Sequence, residues 1–118
     1  MEYVLFAKKA IEYVNGIVTG RELECKCKLV LKLIDENQYS LFVYNIEDYP
    51  IEVMRGIKQA NVIERTNEFM LIQGFGLSNN RTSISHLQAK ILFKNNEILS
   101  VEYIVSDRNA TLLYKKES

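Results

Sequence analysis

The run from Leu23 to Leu33 constrains the fold of this chain more than any other segment. Its odd positions are apolar: Leu23, Cys25, Cys27, Leu29, Leu31 and Leu33. Most of the even positions carry charge: Glu24, Lys26, Lys28 and Lys32. Side chains alternate faces along an extended strand, so the run lays an apolar ridge on one side and charge on the other. The pattern predicts a half-buried antiparallel strand over residues 23–34.

The same ridge bears on the two cysteines. Cys25 and Cys27 stand in line with four leucines, which predicts buried thiols. Two residues apart on a strand, their α-carbons are about 6.5 Å apart, near the upper limit for a disulfide. A metal would need a further pair of soft ligands, and the sequence holds only these two cysteines and one histidine. No metal or cofactor is expected.

At 118 residues the chain is sized for a single domain spanning 1–118. A domain of this length buries enough surface to fold without a disulfide or metal. Fifteen basic residues balance fifteen acidic ones. That balance argues against nucleic acid as the main partner and against an anionic membrane surface. It does little to oppose self-association, so a dimer is permitted. The first residues lack the layout of a signal peptide, and no apolar run approaches the ~18 residues of a membrane span. The expected setting is cytoplasmic. Two glycosylation sequons, at Asn80 and Asn109, are read as chance in that setting.

Residues 2–18 read as an amphipathic helix. On a ~100° wheel, Tyr3, Val4, Phe6, Ala7, Ala10, Ile11, Tyr13, Val14, Ile17 and Val18 fill one half, with Leu5 out of place. A rival reading takes Asn15-Gly16 as a hairpin turn flanked by strands; the helix is preferred for the consistency of its wheel. Beyond it, turn signals recur at regular spacing. They predict strands at about 23–34, 39–46, 57–64, 68–75, 86–93, 97–105 and 110–114. Residues 51–56 are ambiguous and fit a short helical turn. The expected fold is therefore α+β: the helix packed on a strongly curved, mostly antiparallel meander sheet of about seven strands. In outline this incomplete barrel resembles the lipocalins, an analogy of architecture from which no function follows.

Candidate chemistry is sparse. His86 is the single histidine, on the polar face at the start of a strand; without a carboxylate partner it is a surface residue rather than a general base. Gly74-Phe75-Gly76 lacks the third glycine and the following helix of a nucleotide-binding turn, so it reads as sheet curvature. No catalytic triad, phosphate loop or catalytic carboxylate pair is recognisable, and no enzyme activity is expected. The polar loop around Asn79, Asn80 and Arg81 offers amides and a guanidinium to a partner's backbone or an anion.

Aromatic residues offer the clearest lead. Strand 39–46 has Tyr39, Leu41 and Val43 on one face and Phe42, Tyr44 and Ile46 on the other; strand 68–75 is also apolar on both faces. Such strands are buried twice or form an interface. Phe42, Tyr44, Phe69 and Phe75 are the candidate partner-binding residues. The expected function is a non-catalytic protein–protein interaction module, of accessory, inhibitor or immunity type, that binds through its sheet. The alternative is a carrier of a small apolar ligand in a cavity inside the curved sheet.

Overall fold

A computed structural model describes residues 2–46, 52–77, 84–106 and 109–116, with side chains at all of these except 9, 20–25, 52, 54, 77, 84 and 85. Eight strands follow in order: β1 (Glu2–Val14), β2 (Ile17–Asp35), β3 (Gln38–Asn45), β4 (Glu52–Arg65), β5 (Phe69–Leu77), β6 (Ile84–Lys94), β7 (Glu97–Val105) and β8 (Ala110–Lys115). Each is antiparallel to the next, and β8 pairs back onto β1, so the sheet closes into an up-and-down barrel. Closure removes most sheet edges from contact with water.

The α+β expectation is overturned. No α-helix occurs among the described residues, and the segment expected as helix 2–18 is β1, a turn and the start of β2. In the barrel wall Leu5 and Ala7 point inward and are fully buried, while Val4 and Phe6 point outward. A strand with apolar residues on both faces also fills half of a helical wheel, and that ambiguity misdirects the prediction. The turn at Asn15 and Gly16 resolves it, with φ of 53° and 75°. Two consecutive positive φ values define a type I′ hairpin turn, for which Asn-Gly is the favoured pair. Residues 52–56 are likewise strand, so the sheet has eight strands rather than about seven and is a closed barrel rather than an incomplete one.

Closure is tied at one end by Asn15, in the β1–β2 turn, and Asn109, just ahead of β8. The Asn15 N–H donates to the Asn109 carbonyl at 3.0 Å, and the Asn109 side-chain amide donates to Asn15 Oδ1 at 2.8 Å. Only the second half of β1, Ala10–Val14, pairs with β8. The first half pairs with β2 alone, leaving a cleft of about 480 Å³ between residues 2–6 and 96–98.

The ridge read from the sequence points inward, with Cys27, Leu29 and Leu31 fully buried. The side chain of Cys25 lies outside the described residues. Leu41, Val43, Ile57, Ile72, Leu87, Ile91 and Val101 converge from the other strands, all with zero exposure. These side chains fill the middle of the barrel from every wall. An eight-stranded ring is just wide enough for its own side chains to fill.

One seam is unusually tight. A Cβ on Gly76 of β5 would lie 2.1 Å from the Gly56 carbonyl oxygen of β4, and one on Gly74 would lie 2.5 Å from the Gln59 carbonyl oxygen. The Gly74-Phe75-Gly76 segment therefore serves close strand approach where the sheet bends, with register shifts in β4 beside it.

Candidate protein-binding face

The outer wall formed by β1–β4 carries cross-strand rows set by the register. One runs Val4, Val30, Phe42, Gly56; the next runs Phe6, Lys28, Tyr44, Val53. A third brings Glu2, Lys32 and Ser40 side by side. Neighbours in a row lie about 4.5–5.5 Å apart, so the side chains form a continuous surface. Six of them are apolar or aromatic: Val4, Phe6, Val30, Phe42, Tyr44 and Val53. Phe6 is 48% exposed, Val4 39% and Val53 38%. Val30, Phe42 and Tyr44 are half-buried.

Each strand supplies its share for a local reason. Phe42 lies over Gly56, whose missing side chain leaves room for the ring: a Cβ there would meet Phe42 Cδ1 at 2.3 Å. An aromatic residue packed across a glycine restores contact the glycine cannot make. Tyr44 tilts against Phe42, with ring centroids 6.4 Å apart at 52°. A shallow groove of about 860 Å³ runs alongside, lined by Val30, Lys32, Ser40, Phe42, Tyr44 and Lys58 among others. Among the described residues, none of Lys28, Lys32 and Lys58 has a carboxylate within ion-pair distance. The face is apolar at its centre and basic around it.

The structure unites only part of the predicted set. Phe42 and Tyr44 share this face. Phe69 and Phe75 point outward from opposite ends of β5, on the far wall. Lys90 Nζ sits 5.2 Å from the centroid of the Phe69 ring. Phe75 is exposed and meets His86 edge-on at 5.5 Å. Asn79, Asn80 and Arg81 lie outside the described residues. Val4, Phe6, Val30 and Val53 complete the face and are not among the sequence candidates. Their grouping shows only in the register, where each stands opposite an outward residue of the next strand.

Elsewhere the chemistry is thin. The Nδ1 of His86 lies 3.4 Å from Ser106 Oγ, a hydroxyl rather than a carboxylate. Among the described residues no three His, Cys, Asp or Glu side chains group to hold a metal, and no helix is long and apolar enough to cross a membrane. No protein-family profile, curated protein or solved structure matches the chain.

Proposed function

We propose that the protein is a non-catalytic interaction module, of accessory, inhibitor or immunity type, that captures an acidic protein partner on the outer face of β1–β4. The observation that carries this reading is a contiguous apolar surface on the outside of a barrel that already has a separate buried apolar core inside. Contiguous exposed apolar surface on a small protein marks a site of contact. Phe42 and Tyr44 are rigid aromatic anchors of the kind that dominate binding energy. The unpaired lysines around them favour a partner bearing carboxylates and speed its approach. A cytoplasmic setting belongs to the same proposal; it is supported by Cys27, which serves the apolar core as a small hydrophobe.

Photo-crosslinking tests the reading. A photoreactive phenylalanine placed at Phe6 or Val53 should give, in cells, one adduct of defined mass with a protein of acidic composition. The same group at Gln88, on the far wall, should give none. Equal labelling from all three positions sinks the proposal. An adduct of twice the chain mass makes the partner a second copy.

A further inference from the structure

β1 is half a closed barrel strand and half an edge. Only Ala10–Val14 pair with β8, and the register shift between Ala7 and Lys9 bends β1 where that pairing stops. The neighbouring ladder shows which way the backbone of the unpaired half points. The Ile46 N–H donates to the Lys26 carbonyl at 3.0 Å, and the β2–β3 register runs unbroken from Cys27 to Leu33. Backbone groups alternate sides along an antiparallel strand. Even residues of this stretch of β2 therefore face β3, and odd ones face β1. Leu29 and Leu31 turn their backbone toward Leu5 and Tyr3, their partners in β1. The N–H and C=O groups of Val4 and Phe6 turn the other way, into the cleft between residues 2–6 and 96–98. Among the described residues, no backbone group pairs with them there.

Such an edge is a template for another strand. Edges that must stay free are blunted by proline or charge, whereas this one presents Val4, Leu5 and Phe6. The cleft suits a strand. It holds about 480 Å³. Five residues of β1 line it, a length of roughly 14 Å at ~3.4 Å per residue. β8 ends at Lys115, and the Lys116 N–H donates to the Leu99 carbonyl at 2.9 Å beside the opening. A segment lying antiparallel to β1 in the cleft would continue the line of β8. A second barrel cannot supply its own β1, because β2 would follow it into the space of residues 96–98. One extended segment fits where a folded edge does not.

We propose that the free edge of β1 takes up an extended segment of a partner protein, about five residues long, by strand addition. The segment completes the ladder at Val4 and Phe6. Its residues opposite those two share the outer face with them and are apolar. The residue opposite Glu2 is a lysine or arginine, since Glu2 forms no ion pair among the described residues. The inference rests on the reading above in one respect: the same partner donates the segment, because Val4 and Phe6 belong to both surfaces.

The test is amide exchange of the full chain with the peptide Val-Thr-Val-Thr-Lys, capped at both ends. At about ten times its Kd, the peptide should slow exchange at Val4 and Phe6 about tenfold and leave β5 and β6 unchanged. The same peptide N-methylated at both valines, whose N–H groups would face β1, should have no effect. Val4→Pro removes an edge N–H without touching the ladder to β2, and should abolish the response in a folded protein. If that variant does not fold, the methylated peptide still decides. Equal slowing by the methylated peptide overturns strand addition, and so does no slowing by the unmodified one. Slow exchange at Val4 and Phe6 in the free chain also overturns it, because the chain would then cover its own edge. Crosslinking from Val53 separates this inference from the reading beneath it. Equal capture of the partner in wild type and Val4→Pro leaves the outer face standing and removes the strand. Peptide binding with no capture from Val53 leaves the edge standing and removes the face.

Discussion

The two walls of this barrel present the same chemistry inward and different chemistry outward. On the β5–β8 wall the polar side chains answer one another. Gln88 donates to Gln73 at 3.1 Å, Lys90 sits over the Phe69 ring, and Lys116 pairs with Glu97 at 2.9 Å. On the β1–β4 wall, Val4, Val30 and Phe42 form an apolar row, and among the described residues none of Lys28, Lys32 and Lys58 forms an ion pair, although Glu2 stands opposite Lys32 in the register. A surface whose groups are mutually satisfied has little to gain from a partner. One that leaves apolar area and cations in water gains from both. This comparison is the ground for proposing the β1–β4 wall as the binding side, even though the far wall also exposes Phe75 and Leu99.

The largest expected effect lies at the seam where the walls join. In Gly76→Ala the new Cβ meets a backbone oxygen of β4, which cannot rotate away as a side chain would. We expect a loss of about 3 kcal/mol or more, read as a lower denaturant midpoint. An unchanged midpoint would mean that β4 and β5 separate freely and that the walls are not one rigid ring.

Adjacent residues of β1 sharpen the comparison between inside and outside. Leu5→Ala removes a fully buried side chain and should cost about 2–5 kcal/mol. Phe6→Ser should change stability by no more than ~1 kcal/mol, since the ring is half exposed, yet it should weaken partner binding. Denaturant curves for both, with a binding assay for the second, separate the roles. Equal destabilisation by the two would erase the inward–outward distinction on this strand.

How much of this is legible in the sequence depends on what each strand does with its second face. The β2 ridge is legible because Lys26, Lys28 and Lys32 mark its outer side. In β1 the outward Val4 and Phe6 are as apolar as the inward Leu5, so period 2 is masked and a helical wheel fits instead. Residues 52–56 are hidden in the opposite way: the inward residue is Arg55, which breaks the alternation of a strand that otherwise packs Ile57 inside. Phe42 and Tyr44 stand out as outward aromatics, whereas Phe69 and Phe75 share their composition but not their wall. Composition carries no information about which strands become neighbours around a ring. The Arg55–Tyr114 contact lies beyond sequence reasoning for the same reason, since only closure sets β4 opposite β8.

The interior tyrosine gives a pH-dependent test of the shared core. Tyr103 ionises above its ordinary value of about 10 in the folded barrel, chiefly because of burial. The folded state therefore holds a proton that the unfolded chain releases, and stability must fall as pH rises above about 10. Below that pH the contribution is fully present. Tyr103→Phe should flatten this alkaline decline in a series of denaturant midpoints, while replacing a tyrosine outside the core, Tyr44→Phe, should leave it in place. An identical decline in Tyr103→Phe would show that another group drives it.

The smallest expected effect concerns the lysines, and it tests the comparison most directly because both walls carry them. Lys32 and Lys58 are exposed and form no ion pair among the described residues beside the aromatic groove, whereas Lys90 sits over the Phe69 ring. Neutralising an exposed cation that steers a partner changes mainly the association rate and its salt dependence. Lys32→Gln and Lys58→Gln should each slow association with the crosslinked partner by about two- to fivefold at low salt, equivalent to ~0.5–1 kcal/mol, and leave the melting temperature unchanged. The difference from wild type should shrink as salt is raised. Lys90→Gln should do the reverse: association unchanged, with a stability loss of about 0.5–1 kcal/mol from the lost cation–π contact. If all three variants slow association equally, attraction reflects the charge of the whole molecule rather than the β1–β4 wall, and the apolar rows alone would have to account for where the partner docks.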